Sequence, residues 1–315
     1  MHSGLVSEQW RDLETRASSP TWRLVDALIT IRLGFSRAVP RALRQMLALL
    51  PGLLLAASLM TGLAALLWRS VHSYDSFLAV QGGFSLTQYS GLVSDPQFHT
   101  VLARSVIMAV IAPMVAIVIA IPYVITLVRI RRRWLRLALL IGVFVPLLTG
   151  DITRTFGMLV MIGPGGPLEW LTAGRLDLAG SSLGVGLGIV QILLPAAVIV
   201  LLPAVLRIDP ELAAAAATLG AKPSTVFLRI TVPQLRVGIV AAYAACFALT
   251  MAAFADPAIL GRGLRNFVSN FLQDRYLGLG NPPQGAAIGI MLLLIVSLGT
   301  AAILVAGRAR GRRSR

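Results

Sequence analysis

The sequence predicts an all-α polytopic membrane protein with six transmembrane helices, and three observations carry that reading. Of the 315 residues, 57% are hydrophobic and only 13% charged, against about 25% charged in a soluble domain. Six stretches approach the roughly 20 apolar residues that a helix needs to cross a bilayer. The balance of +15 comes almost wholly from arginine, with Lys222 the sole lysine. Those arginines stand in blocks beside the apolar runs, the pattern of membrane topology and not of a nucleic-acid surface. A mean hydropathy of +0.81 agrees.

Taken in order, the chain begins with a tail over residues 1–44. Its segment "TWRLVDALITIRLGFSRAVPRAL" mixes Leu, Ile, Val and Trp22 with spaced arginines. An interfacial amphipathic helix on anionic lipid fits it; a basic tail that only sets orientation is the alternative. The first span falls near Leu47–Trp68, and no small-residue cleavage site ends it, so it reads as an uncleaved anchor. A polar loop follows, with turn signals at Gly82-Gly83 and Asp95-Pro96. The second span lies near Ser105–Val128 and carries Pro113 and Pro122. The third, near Leu137–Thr149, is short, and its uncharged stretch stops at Asp151. The passage "GDITRTFGMLVMIGPGGP" behind it either completes the span or forms a broken, partly re-entrant element. The fourth span lies near Leu183–Leu206, the fifth near Gly238–Phe254 and the sixth near Ala286–Val305. The transmembrane domain is therefore 45–307, and a basic tail, 308–315, closes the chain. Cys246 is the single cysteine, which excludes an intrachain disulfide.

Arginine placement sets the orientation. One set of alternate segments holds Arg11, Arg16, Arg23, Arg32, Arg37, Arg41 and Arg44, then Arg129, Arg131, Arg132, Arg133 and Arg136. The same set holds Arg207, Lys222, Arg229 and Arg236, and finally Arg308, Arg310, Arg312, Arg313 and Arg315. These are 21 of the 28 basic residues. The other set has Arg69, Arg104, Arg154, Arg175, Arg262, Arg265 and Arg275. Positive residues stay cytoplasmic, so both termini and the loop between spans four and five are expected inside a plasma membrane.

That loop, 207–236, contains "DPELAAAAATLG", a helix with a start, a body and a stop. Asp209 is placed to cap it. Pro210 suits the first helical position, and Glu211 is an anion in the first turn, where the dipole favours one. Five alanines give high propensity at almost no side-chain entropy cost, and Gly220 is placed to end the helix in a left-handed conformation. A second short helix starts at Pro223, with Pro233 closing the segment. Small side chains let such a helix approach another surface closely, as a docking helix does in a groove. A plain connecting loop would explain neither its length nor its two caps.

The stretch "DPELAAAAATLGAKPSTVFLRITVPQLRVGI" resembles the signature loop of permease subunits from binding-protein-dependent ABC importers: Glu-Ala-Ala, three residues, Gly, nine residues, Ile-x-Leu-Pro. Ala215 and Ala216 match the alanine pair, Gly220 the glycine, and Ile230, Val232 and Pro233 the end, with Val for Leu; Ala221 follows the glycine. Further stretches, "FSLTQYSGLVSDPQFHTVLARSVIMAV", "PLLTGDITRTFGML" and "AFADPAILGRGLRNFVSNFLQ", are similar to spermidine/putrescine-type permeases. The signature glutamate would fall at position 214, where this chain has Ala214; Glu211, one turn earlier on roughly the same face, is the expected partial substitute. The resemblance implies a type I importer permease fold in the bacterial inner membrane. Its implied partners are a cytoplasmic ATPase dimer that carries the ATP and Mg, a second homologous permease subunit and an extracytoplasmic solute-binding protein, besides membrane lipids; no nucleic acid is expected.

No phosphate-binding loop is present, since Lys222 follows Ala221 and precedes Pro223. His2, His72 and His99 have no metal-ligand spacing, and no nucleophile elbow occurs. No catalytic residue, metal or bound cofactor is assigned. Ionisable residues near spans are few: Asp151 and Arg154 at the third, Asp256 after the fifth. They either line a substrate pathway or sit at the outer membrane boundary. Pro146, Pro195 and Pro257 either kink helices around a passage or serve packing. The expected function is ATP-driven passage of a small hydrophilic solute into the cytoplasm, with a polyamine as leading class and iron(III) or an organophosphonate as alternatives. A stand-alone secondary transporter is the rival; the coupling-ion site and inverted repeats it would carry are not evident.

Overall fold

The computed structural model describes residues 41–75, 80–171 and 178–312. Residues 1–40, where an interfacial helix is expected, lie outside them, as does Arg175. The chain divides into two units, Met1–Ala65 and Leu66–Arg315. The described part of the first belongs to helix α1 (Arg41–Ser70). Its Leu53, Leu55, Leu59 and Met60 are exposed, as on a span solvated by lipid, where the helix alone satisfies its backbone.

In the second unit a small hairpin, β1 (His72–Asp75) and β2 (Val80–Phe84), leads to α2 (Thr87–Ser94) and then to α3 (Pro96–Arg129). Next come α4 (Arg133–Leu148), α5 (Asp151–Ile162), α6 (Pro167–Leu171) and α7 (Ser182–Leu206). The short helices α8 (Pro210–Thr218) and α9 (Pro223–Val226) precede α10 (Val232–Met251). Helices α11 (Ala255–Leu260), α12 (Val268–Gln273) and α13 (Pro282–Arg312) complete the unit. Among the described residues, five helical stretches are long and apolar enough to cross a membrane alone. A sixth crossing exists only as the bent pair Arg133–Leu148 and Asp151–Trp170, which turns by 111°. Of the two forms the sequence left open for the third span, the structure takes the broken one. The local geometry at the break is plain: Thr149 and Gly150 are extended, the Thr149 hydroxyl donates to the Val145 carbonyl at 2.8 Å, and Asp151 opens α5 at its positive end.

The core is a three-helix contact. Ala112, Ala116, Ala120 and Val124 of α3 pack on Val185, Ile189, Leu193 and Leu201 of α7 and on Leu235, Ala242 and Cys246 of α10. Lipid is as apolar as leucine, so helices here associate through close fit, and small residues permit it. A second cluster joins Leu92, Phe98 and Val101 to Val268, Phe271 and Ile288 at the end of the bundle where α3 begins.

Two turn signals have other uses. Gly82 and Gly83 lie within β2, and His72 pairs with Phe84 while Tyr74 pairs with Gln81. One residue of β1 thus opposes two of β2, a β-bulge and not a turn. Asp95 and Pro96 start α3: Asp95 Oδ1 accepts from Gln97 N at 2.8 Å. Asp95 Oδ2 also holds Arg275 at 3.1 Å, and that guanidinium lies over the Phe271 ring. Asp95→Ala is expected to lower stability by about 1 kcal/mol through the lost cap, with a further term from the ion pair, whose side chains are only 21% and 23% exposed. A double-mutant cycle with Arg275→Ala, read by thermal midpoint, separates the two.

Candidate functional site

The hairpin between α7 and α10 stands at one end of the bundle, beside the last turns of α3. Its helix is fastened at both ends. Asp209 Oδ1 accepts from Glu211 N at 2.9 Å. At the other end Gly220 has φ +78°; Gly220 N donates to the Ala217 carbonyl and Ala221 N to the Ala216 carbonyl. These are the two bonds of a Schellman stop, which needs a residue without Cβ at the left-handed position. Both caps read from the sequence are therefore present.

The helix α8 has two faces. Ala213, Ala217 and Ala221 turn toward Ile125 and Arg129 of α3 and toward Pro223, Val226 and Phe227, lining a cleft of about 260 Å³. Glu211, Ala214, Ala215 and Thr218 are exposed and share the opposite face by their three- and four-residue spacing. Among the described residues the Glu211 carboxylate makes no hydrogen bond or ion pair. Two residues escaped the sequence reading: Leu212 and Leu219 are 52% and 87% exposed and flank the alanine face. Their signal was present, as the only large apolar side chains in an otherwise alanine helix, but apolar residues in a membrane sequence attract no notice.

The second helix of the hairpin differs from expectation. Pro233 does not close the segment. The four-residue α9 runs into a π-turn, Phe227–Thr231, where Val232 N donates to the Phe227 carbonyl, and from there directly into α10. Pro233 occupies the first turn of α10, where a missing N–H is tolerated. The widened turn before it absorbs the conflict that proline creates with a regular helix. Ile230 lies in the π-turn, half-buried, and Thr231 beside it is buried.

At the other end of the bundle the three predicted pathway residues come together. Arg154, 8% exposed, reaches Asp151 Oδ1 at 2.8 Å; its Nε is buried and has no hydrogen-bond partner among the described residues. Asp256, 5% exposed, accepts from the Thr155 hydroxyl at 2.8 Å, a residue the sequence reading did not single out. The Asp151 side chain is 68% exposed. Asp256 lies in the segment between the fifth and sixth spans. Burial pushes its carboxyl above the ordinary range, Thr155 and Arg154 draw it back, and Asp151 adds to the rise. The carboxylate rests over α7: a Cβ on Gly188 would lie 3.1 Å from Asp256 Oδ1 and 2.4 Å from the buried Leu260 Cδ1. Gly188→Ala is expected to cost about 1–3 kcal/mol by overpacking, seen as a lower thermal midpoint. So α5 and α11 are tied together by one polar cluster that packs against α7 at Gly188, with Asp151 alone open to solvent.

No family model matches the chain. It is 30% identical over 223 residues to the spermidine/putrescine transport system permease protein PotB of Escherichia coli (strain K12), covering 68% of this chain and 80% of that protein. It is 29% identical over 225 residues to the molybdenum transport system permease protein ModB of Mycobacterium bovis, covering 70% and 82%. Among solved structures, a chain of the bacterial alginate ABC transporter, in complex with an alginate pentasaccharide-bound periplasmic protein, superposes with a TM-score of 0.64. That match has 15% identity and covers 96% of this chain and 97% of that one; the likeness is one of fold.

Proposed function

Because the chain belongs to the permease subunits of ABC importers, which are membrane transport components and not enzymes, we propose that α8 is the part gripped by a separate ATPase subunit. The observation that carries this is the exposed, doubly capped alanine face of Glu211, Ala214, Ala215 and Thr218, bracketed by Leu212 and Leu219. A helix this small in cross-section enters a groove deeply, and the two leucines would supply apolar anchors at its edges. Glu211 offers the carboxylate that position 214 lacks. Asp209, Pro210, Gly220 and Ala221 hold the helix ends, and Ile230 and Pro233 lie where the hairpin passes into α10. Movement of α8 would then reach the α3–α7–α10 core through the cleft at Ile125 and Arg129 and through the unbroken path from α9 into α10. ATP and Mg are bound on that ATPase.

Domain limits and orientation follow the same reading. The described basic residues nearest the hairpin, Arg129, Arg207, Lys222, Arg229 and Arg236, support a cytoplasmic location for it and for both termini, with residues 1–44 as the inner tail, 207–236 as the coupling loop and 308–315 as the basic end of the 45–307 transmembrane domain. A second permease subunit completes the passage, and an external solute-binding protein delivers the cargo. The substrate class is a polyamine such as spermidine or putrescine. Similarity to PotB supports it, and so does the chemistry of Asp151, an accessible carboxylate beside the broken span that a cation in transit could meet, with Arg154, Thr155 and Asp256 bracing it.

Two measurements test this. Cys246 is the single cysteine and is buried, so Ala215→Cys in a Cys246→Ala background gives one reactive thiol on the exposed face. Cross-linking in membranes should capture an ATPase subunit; capture of no such partner would overturn the coupling role. In the reconstituted complex with its binding protein, spermidine or putrescine should stimulate ATP hydrolysis. Stimulation by molybdate and not by polyamines would reject the substrate class while leaving the coupling role intact.

A further inference from the structure

In the polar cluster, one guanidinium serves two carboxylates. Arg154 Nη2 donates to Asp151 Oδ1 at 2.8 Å, and its Nη1 reaches the Pro146 carbonyl only at a long 3.4 Å. Its buried Nε has no hydrogen-bond partner among the described residues. The Arg154 charge also acts on the Asp256 carboxyl, yet among the described residues Asp256 has no ion pair. What holds Asp256 is the Thr155 hydroxyl, and that group has one proton for two acceptors, Asp256 Oδ1 and the Asp151 carbonyl.

This pairing runs against burial. Asp151 is the exposed carboxylate; water solvates it, so an ion pair adds little there. Asp256 is the buried one, where an anion without a cation is costly. Two carboxylates and one guanidinium leave one negative charge uncompensated within the cluster. A cation arriving from solvent meets Asp151 and not Asp256, because only Asp151 is open to it. Once that cation neutralises Asp151, the hold of Asp151 on Arg154 weakens. The guanidinium has a donor to spare, and the anion still without a cation is Asp256, which already bonds Thr155, the next residue along α5.

We propose that Arg154 is a positioning residue that exchanges carboxylates: an ammonium group of the cargo takes Asp151, and Arg154 passes to Asp256. The proposal rests on the reading of the cargo as a polyamine. Before cargo arrives, Arg154 guards Asp151, so a cation enters only by displacing a charge-assisted hydrogen bond. After the exchange each carboxylate has its own cation. The buried one gains most, which favours the loaded arrangement by its differential interactions. The tie between α5 and α11, close to the break at Gly150, is then strongest while cargo is present.

The test compares three states of the assembled transporter with its binding protein by cryo-electron microscopy. They are the native complex without cargo, the native complex with spermidine, and Asp151→Asn without cargo. Asp151 is exposed, so its replacement leaves the fold intact. Arg154 should bond Asp151 in the first state and Asp256 in the other two. Arg154 on Asp151 or its asparagine in all three would overturn the exchange. Movement of Arg154 in the variant, with no spermidine at Asp151 in the native complex, would reject the polyamine and leave the exchange to a different cation. Uptake supplies a second readout. With the spermidine-loaded binding protein in excess, Asp256→Asn should slow import several-fold in the native chain and have little further effect in an Arg154→Gln background. Equal slowing in both backgrounds would mean that Asp256 acts by packing, and would also overturn the proposal.

Discussion

Tryptophan at Ala215 is expected to cut uptake by about tenfold or more while leaving the permease folded in its membrane. Ala215 is exposed on α8, and its neighbours on that face are Glu211, Ala214 and Thr218. The substitution leaves the Asp209 cap and the Gly220 stop untouched, and the intrinsic cost of tryptophan in the helix is about 0.5 kcal/mol. The free subunit therefore loses little. In a groove shaped for alanine the indole has no room. Overpacking costs about 1–3 kcal/mol even where neighbours can shift, and each 1.4 kcal/mol is about tenfold in affinity. Co-purification of the ATPase and ATP-driven uptake should both fall by about tenfold or more, with membrane insertion and thermal midpoint unchanged. Normal uptake by the variant would mean that this face touches nothing. Glu211→Gln should act in the same direction but weakly, weakening the coupling of hydrolysis to transport without detaching the ATPase.

The second large effect belongs to the polar cluster. Asp256→Ala removes the hydrogen bond to Thr155, whose hydroxyl keeps only the Asp151 carbonyl, and takes an anion away from a buried guanidinium whose Nε has no partner among the described residues. A buried group stripped of its partner costs about 1–3 kcal/mol, more where charge is involved, so the thermal midpoint and the yield of folded protein should both drop. Thr155→Val should reproduce part of that loss with no change of charge. Asp256→Asn keeps the shape and still accepts from Thr155, so it should fold. Asn at both Asp151 and Asp256 then isolates the effect of charge on the cargo. If that double variant folds and imports polyamines at the normal rate, the carboxylates serve packing alone.

How far the sequence reached differs from element to element. All spans but the third were legible because each is a long apolar run, and lipid leaves a helix no other way to satisfy its backbone. The caps of α8 were legible because capping is local: Asp209 reaches only two residues and Gly220 only needs its own φ. The same local logic misplaced Gly82-Gly83, since whether two glycines turn or bulge depends on the register of the partner strand. It misplaced Pro233 as well. A proline ends a helix only if the preceding turn cannot widen, and here the turn at Phe227–Thr231 does. Leu212 and Leu219 went unremarked because exposure, not residue type, is what makes an apolar side chain informative.

The sequence by itself determined the number of apolar crossings, their order, the partition of arginines between two ends, and a short capped helix with a small face between the fourth and fifth. All of these depend on residues a few positions apart and on the solvent. Only the tertiary structure decided that the third crossing breaks by 111°, that the hairpin leads unbroken into α10, and which carboxylate of the cluster is buried. Those outcomes turn on contacts between residues far apart in the chain. Thr155 and Asp256 are separated by about a hundred positions, and no local pattern records that α5, α7 and α11 will meet. The charge of Asp256 is tolerable only because the fold brings a hydroxyl and a guanidinium to it, and burial without them would have been too costly to keep.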